Sequence, residues 1–290
     1  MALAETGTVS AAARVMNVTQ PTASMQLKEV ADALGMPIFE VVARKVYLTV
    51  LGEELARTAR AVSNEWEAFE QQVEALKGHQ KGKLRVAVVS TAKYFVPRLL
   101  GAFCKRYPEV DVSLEVLNRD GVVSRLKRNL DDIYVMSTPP KEMDLVQEVF
   151  MSNPLVVICS SVNPLAKSRH LQLTDLADER FILREEGSGT RMAIDKFFKK
   201  EKFRPKLRLE LGSNEAIKES VAGGLGISIV SMHALHGKTR EHGVSVLPVA
   251  GMPIESSWHI VYPKGKKLSP IATIFREQLL SKTYKVKLSI

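Results

Sequence analysis

The chain has 290 residues, of which 45% are apolar and 25% charged, with a formal net charge of +9. That length exceeds one ordinary core and predicts two or three domains. No apolar run is long enough to cross a bilayer, and residues 1–5 are not a basic segment leading into an apolar one, so a cytoplasmic protein without membrane contact is expected. Cys104 and Cys159 are too few and too far apart for a disulfide framework, which predicts reduced, packed thiols.

Near the front, Ser10 is placed to cap a short helix whose small residues Ala11 to Ala13 let another helix approach, and Asn17 breaks it. Thr19 caps the next helix, Pro21 falls in its first turn, and Gly35 sits where a helix end wants a left-handed residue. Two capped helices with a short turn make a helix-turn-helix. At 100° per residue, Ala23, Leu27, Val30, Ala31 and Leu34 form one buried stripe, leaving Pro21, Thr22, Met25, Lys28 and Glu29 outward. Methyl-bearing side chains on that face suit thymine methyls in a major groove, and Gln20 can pair with an adenine edge. On spacing alone, a helical hairpin inside a larger core is the plainer alternative.

The residues themselves carry more. Ser-x-Ala-Ala from Ser10, Val-Thr-Gln-Pro-x-x-Ser from Val18, Leu-Gly-x-Pro-x-Phe-Glu from Leu34 and Leu-Thr-x-x-Gly from Leu48 together resemble the winged helix-turn-helix of LysR-type transcriptional regulators. The resemblance implies double-stranded promoter DNA as partner. The implied contacts are Ser10, Thr19, Gln20, Pro21, Thr22, Ser24, Met25, Lys28, Arg44 and Lys45. It implies self-association as well, a homodimer pairing into a homotetramer.

Charge gives this reader little help. From 1 to 49 the basic residues Arg14, Lys28, Arg44 and Lys45 are balanced by Glu5, Glu29, Asp32 and Glu40. The excess lies around Lys77 to Arg85, Lys196 to Arg208 and Lys264 to Lys285, where it reads as solvated surface. Base-edge and backbone contacts from a dimer are therefore expected to supply the affinity. In the family an earlier helix packs on the capped pair, and Met1 to Glu5 matches only its last turn; the expectation is a clipped first helix that exposes apolar surface and weakens DNA binding. Val41 stands where the family has arginine, and Ala31 where it has an acidic residue, which predicts fewer backbone contacts at the wing.

From about Leu51 to Leu76 apolar residues recur at Leu51, Leu55, Ala59, Val62, Trp66, Phe69, Val73 and Leu76, the steps of a heptad seam. Packing on its own domain is one reading and dimerisation the other; the LysR-type linker helix matches the second, with Leu55, Val62, Trp66, Phe69 and Val73 in the contact. Gly78 to Lys83 ends the helix in a basic linker.

Beyond Leu84, short apolar runs alternate with helical stretches. Strands are expected over Leu84 to Val89, Val110 to Leu117 and Ile133 to Met136, and helices over Tyr94 to Tyr107 and Val122 to Leu130. A second unit follows, with strands at Leu155 to Cys159, Phe181 to Leu183, Leu207 to Leu211 and Ile227 to Val230, and helices at Thr190 to Lys200 and Glu215 to Ala222. Trp258 to Tyr262 and a helix over Leu268 to Leu280 return to the first lobe. Such alternation means an α/β fold with a mostly parallel sheet covered on both faces. Two lobes joined by crossings near Asn153 to Leu155 and Ser256 to Trp258 resemble the periplasmic-binding-protein-like effector domain of the LysR type. The domain plan is thus a winged helix-turn-helix over 1–50, a linker helix over 51–80 and an effector domain over 84–290. Lobe one takes 84–154 and 258–290; lobe two takes 155–257.

Open α/β sheets bind ligands beyond their strand ends, where helix N-termini offer free N–H groups. Three junctions qualify: Ser90-Thr91-Ala92-Lys93, Arg184 to Arg191, and Gly212-Ser213-Asn214. Their hydroxyls, amide and cations suit a small anion. Singly, Ser90, Thr91, Thr190 and Ser213 read as helix caps, and Arg191 as a surface ion pair with Glu185 or Glu186. Ala87 to Leu100, Asn153 to Val157, Leu183 to Arg191, Glu210 to Lys218 and Gly265 to Pro270 look like the CbbR branch, regulators of carbon-dioxide-fixation (RuBisCO) operons that respond to phosphorylated metabolites or NADPH. The branch implies an effector cleft lined by Ser90, Thr91, Lys93, Ser137, Thr190, Arg191 and Asn214, with no cofactor. It usually ends its third strand in Gly-Arg-Pro-Pro, whereas Ser137-Thr138-Pro139-Pro140 stands here, one arginine fewer.

Nothing points to an enzyme. Gly187-Ser188-Gly189 has Met192 in place of a third glycine, and phosphate-binding, nucleophile-elbow and zinc-helix motifs are missing from the sequence. His233 and His236 share a helical spacing without a nearby carboxylate or cysteine set, and no metal is expected. The alternatives to a carbon-fixation regulator are a LysR-type regulator of another metabolic operon, or a cytoplasmic solute-binding protein of the same two-lobe fold that does not bind DNA.

Overall fold

A computed structural model describes residues 1–43, 45–235 and 243–281. Arg44 and His236 lie outside them. The chain divides into two compact units, Met1–Glu70 and Gln71–Ile290.

The first unit opens with α1 (Ala2–Thr6), α2 (Val9–Val15) and α3 (Gln20–Leu34), then a hairpin of β1 (Phe39–Val42) and β2 (Lys45–Leu48), and the start of α4 (Val50–Leu76). Thr19 caps α3, accepting from the Thr22 amide, and Gly35 ends it in the left-handed region at φ 67°. The cap of α2 is Thr8, whose hydroxyl accepts from the Ala11 amide at 3.2 Å; Ser10, expected there, is an exposed residue of the first turn. The helix starts earlier because Thr8 keeps the extended backbone a cap requires. The expected α3 stripe is also shorter. Ala23 is buried and Leu27 and Ala31 half-buried, but Val30 and Leu34 are 39% and 44% exposed. Two turns of α2 cannot cover four turns of α3. The Thr-x-x-Gly of the wing has a packing reason: Thr49 accepts from the Gly52 amide and donates to the Pro37 carbonyl, and a Cβ on Gly52 would meet the Ile38 carbonyl oxygen at 1.8 Å.

The second unit contains two lobes. The five-stranded sheet of lobe one runs β4-β3-β5-β12-β6, from β3 (Gly82–Val89), β4 (Val110–Leu117), β5 (Ile133–Met136), β6 (Leu145–Ser152) and β12 (Ser257–Pro263). β3 pairs in parallel with β4 and β5, while β12 is antiparallel to β5 and β6. Helices α5 (Val96–Arg106), α6 (Arg119–Lys127) and α9 (Pro270–Leu280) cover it, packing Phe95, Phe103 and Phe275 with Trp258 on one side and Val122, Leu126 and Tyr134 on the other. The expected helix from Tyr94 is broken: a 3-10 turn, Ser90–Tyr94, precedes α5, because Pro97 in the first turn of α5 has no N–H to continue it.

Lobe two has β7 (Leu155–Ser160) between β10 (Ser228–Ser231) and β11 (Val244–Val246), both antiparallel to it, and a parallel pair of β8 (Arg180–Arg184) and β9 (Lys206–Leu211). A single bridge, Phe181 to Ile227, joins the two. The sheet expected to be mostly parallel is antiparallel at its centre, since the chain enters lobe two along β7 and recrosses beside it. Helices α7 (Gly189–Lys200) and α8 (Asn214–Ala222) complete the lobe. At the crossings the Asn153 amide donates to the Ser256 carbonyl at 2.8 Å, and Leu155 and Ile254 exchange two backbone bonds. Ser231 donates to Asn153 Oδ1, and the His233 ring meets the Ser152 carbonyl at 2.9 Å.

Candidate functional site

In the first unit, Ser10, Thr19, Gln20, Pro21, Met25, Lys28 and Lys45 are exposed, with Met25 at 56%. Thr22 and Ser24 are half-buried and hold their neighbours: the Thr19 and Thr22 hydroxyls are 2.8 Å apart, and Gln20 Nε2 donates to Ser24 Oγ at 3.1 Å. Ser24 thus steadies the exposed Gln20 amide. On α4, Leu55 and Val73 are half-buried, whereas Val62, Trp66 and Phe69 are 67%, 62% and 57% exposed. The Trp66 and Phe69 rings lie 5.7 Å apart, and Trp66 Nε1 donates to Glu70. Neighbouring aromatics in water are an unfinished hydrophobic surface.

The second unit brings the strand ends of both lobes together around Arg184. This last residue of β8 is only 2% exposed. Its Nη2 donates to Ser90 Oγ at 3.2 Å and its Nη1 to Thr91 Oγ1 at 3.3 Å, across to lobe one, and to Asn214 Oδ1 at 3.4 Å within its own lobe. Asn214 Nδ2 in turn donates to Thr91 at 3.0 Å. Glu185 supplies the counter-charge, accepting from Nε at 2.6 Å and Nη2 at 2.8 Å. Beside this cluster, Ser188 caps α7, and Thr138 Oγ1 donates to the Gly189 carbonyl at 3.4 Å. The lobes are close here: a Cβ on Gly189 would lie 2.8 Å from Ser137 Oγ. Ser213 caps α8 and buries Asn214 at its first position.

Of the expected cleft residues, Ser90, Thr91 and Asn214 therefore share one network, and Ser137 and Thr190 stand at the α7 approach, Thr190 buried. Lys93 is half-exposed on the rim, where its Nζ meets Glu215 at 3.0 Å; the Tyr94 hydroxyl donates to the same carboxylate at 2.6 Å. Although burial works against it, the Tyr94 hydroxyl and the Lys93 ammonium hold the Glu215 carboxyl down to about 2. Arg191 does not join. It pairs with Asp195 and Glu210 and donates to the Arg184 carbonyl, so its guanidinium braces the start of α7, and the expected partners Glu185 and Glu186 are not the ones it takes.

Sequence reasoning named Arg184 only as the first residue of a junction and did not name Arg119. The signal for Arg184 was a charged residue closing the apolar run Phe181-Ile182-Leu183, which a fully buried strand tolerates only with partners. Arg119, at the start of α6, donates from Nε to the Thr138 carbonyl at 3.1 Å and so reaches the segment where the CbbR branch carries its own arginine. Among the described residues no cluster of three histidine, cysteine or acidic side chains could hold a metal. His233 is buried against the Phe95 ring, and burial pushes its pKa below the usual range. Cys159 is buried, which pushes its thiol up to about 11. No described helix is long and apolar enough to cross a membrane.

Two family profiles match this chain: "LysR substrate binding domain" over residues 77–283 and "Bacterial regulatory helix-turn-helix protein, lysR family" over residues 1–53. The RuBisCO operon transcriptional regulator of Acidithiobacillus ferrooxidans is 43% identical over 270 residues, covering 93% of this chain and 87% of that one. The HTH-type transcriptional activator CmpR of Synechocystis is 41% identical over 280 residues, covering 97% and 92%. Among solved structures, the regulatory domain of Synechocystis CcmR in complex with 2-PG superposes with a TM-score of 0.67 at 44% identity, covering 70% of this chain and 98% of that one.

Proposed function

The chain belongs to the LysR family of bacterial transcriptional regulators, and from that premise we propose that it governs carbon-dioxide-fixation genes in response to a small phosphorylated anion. The regulator names carried by its relatives and the 2-PG (2-phosphoglycolate) held by CcmR support this reading. In it, the first unit is the promoter reader, working in the cytoplasm through the exposed face of α3 and the wing. Exposed Val62, Trp66 and Phe69 on α4 pack against a second copy, and dimers pair into tetramers. The lobes of the second unit form the sensor, with Ser90, Thr91, Lys93, Ser137, Thr190 and Asn214 lining it.

One observation carries the sensor: a guanidinium buried to 2% exposure, reached by hydroxyls of one lobe and an amide of the other. A planar fork of N–H donors grips phosphate or carboxylate with two parallel bonds. Arg184 takes the role expected of Arg191, and Arg119 stands near enough to Thr138 to supply a second positive charge. The phosphorylated metabolite is favoured over NADPH because the ligand held by CcmR, whose regulatory domain is 44% identical to this chain, is 2-PG.

The experiment is calorimetric titration of the full chain with 2-phosphoglycolate, paired with a gel shift on a RuBisCO-operon promoter with and without it. Binding, together with a ligand-dependent change in the shifted species, is expected. A protein that shifts the promoter but ignores every phosphorylated carboxylate removes the effector assignment; one that binds the ligand and no promoter removes the regulatory one.

A further inference from the structure

Every donor of Arg184 is already engaged. The Nη1 hydrogens go to Thr91 and Asn214, one Nη2 hydrogen goes to Ser90, and the remaining Nη2 hydrogen and the Nε hydrogen meet the two oxygens of Glu185 at 2.8 and 2.6 Å. The Nε–Nη2 edge is one of the two faces on which a guanidinium receives an oxyanion in parallel. The protein's own carboxylate fills it.

We propose that Glu185 is an internal stand-in for the effector: a small anion with a phosphate or carboxylate group takes the Nε–Nη2 edge of Arg184, and the Glu185 side chain turns outward. This inference rests on the cleft being the sensor. Three features of the pair fit an exchange. The side chain of Glu185 is 26% exposed against 2% for Arg184, so the carboxylate stands on the solvent side and is the partner able to leave. Its backbone stays anchored, the Glu185 amide donating to the Leu211 carbonyl and its carbonyl accepting from Ser188, so only side-chain rotation is needed. Arg184 meanwhile is held by Ser90, Thr91 and Asn214, which a departing carboxylate does not disturb.

Charge makes the exchange selective. An unpaired buried guanidinium is strongly disfavoured, so Glu185 yields only to another anion. A neutral sugar or alcohol of the same shape cannot evict it. The stand-in also sets sensitivity, since each binding event must first break a charge-assisted pair.

The test titrates 2-phosphoglycolate into the full chain and its Glu185→Gln, Glu185→Asp and Glu186→Gln variants. With the competitor removed, Glu185→Gln binds about tenfold tighter or more, the factor that one hydrogen bond to a charged group represents. Glu185→Asp keeps a carboxylate and stays near wild type, and Glu186→Gln, an exposed acid beside the pair, shifts affinity by less than about twofold. Equal or weaker binding by Glu185→Gln while the wild type binds overturns the stand-in and leaves the sensor reading intact. Absence of binding in all four removes both. A measurement on the unmutated chain covers the case in which Glu185→Gln does not fold: with carboxyl-labelled glutamate, saturation with 2-phosphoglycolate moves a Glu185 carboxyl resonance, and a spectrum in which no glutamate carboxyl moves overturns the proposal.

Discussion

Replacing Arg184 by methionine separates its structural work from its part in binding. The substitution keeps an unbranched stem as far as the Nε position, and removes the guanidinium with its five donors. Two of the lost bonds are charge-assisted contacts to Glu185, at 2.6 and 2.8 Å; the other three, to neutral oxygens, are long, at 3.2 to 3.4 Å. Glu185 recovers water once released, being the more exposed partner, so its pair counts at the low end of the charged range. Ser90 is half-buried and also finds water, while Thr91 and Asn214 stay buried and keep each other, with Asn214 also bonded to Tyr94. Together these cost about 2–4 kcal/mol of stability in the second unit. For a unit of this size that lowers Tm by roughly 4–16 °C. Urea and thermal unfolding of the full chain measure it, and calorimetry with 2-phosphoglycolate should show binding lost. Arg184→Lys restores charge without the fork and recovers part of the stability but little of the affinity. A methionine variant as stable as wild type, or one that still binds with wild-type affinity, refutes the reasoning.

The other predictions concern separate parts of the molecule. Arg191→Ala, which removes ion pairs to Asp195 and Glu210 outside the network, should leave ligand affinity within about threefold of wild type; a tenfold loss in calorimetry would return Arg191 to the cleft. Gln20→Ala with Met25→Ala should erase preference for the target promoter in gel shifts while melting stays near wild type, because both side chains are exposed; an unchanged specificity ratio speaks against that face. Trp66→Ala should shift the light-scattering mass toward smaller species without destabilising the protomer, and an unaltered mass removes the α4 dimer. Gly52→Ala should destabilise the first unit by about 3 kcal/mol or more, since the Ile38 carbonyl blocks the added methyl and backbone must move; promoter binding and circular dichroism report it, and a neutral effect refutes the packing account. Glu215 is held below its ordinary value in the folded state, so its pairing contributes stability above about pH 4.5 that fades as pH falls toward about 2; Glu215→Gln should flatten that part of the acid melting curve, and identical curves would show the pairing to be inert.

Where a local rule acts alone, the sequence was readable. Thr19 and Gly35 bound α3 because a hydroxyl cap and a left-handed glycine are decided within four residues. The long apolar seam of α4 and the buried runs of β3 and β7 were equally plain. What periodicity could not supply was the identity of neighbours. Val30 and Leu34 sit at buried positions of a helical wheel, yet burial also needs a facing helix long enough to reach them. β6 escaped notice because Leu145–Ser152 mixes Gln147 and Glu148 into its run, as an edge strand can. The cleft was legible as three junctions but not as a circuit. Arg191 was picked for the cleft from its place at a helix start, and its ion pair with Asp195, one turn on, was not weighed; Arg184 was read only as the first residue of its junction, whereas the strand runs through it and buries its side chain.

The two crossings between the lobes limit how the cleft can breathe. They run side by side and are stitched together by Asn153 to Ser256 and by Leu155 to Ile254, with Ser231 and His233 bracing the same span. Two ribbons fastened edge to edge resist sliding past one another far more than they resist flexing. Flexing across the shared seam is therefore the easier relative displacement of the two lobes, and shear along it the harder one.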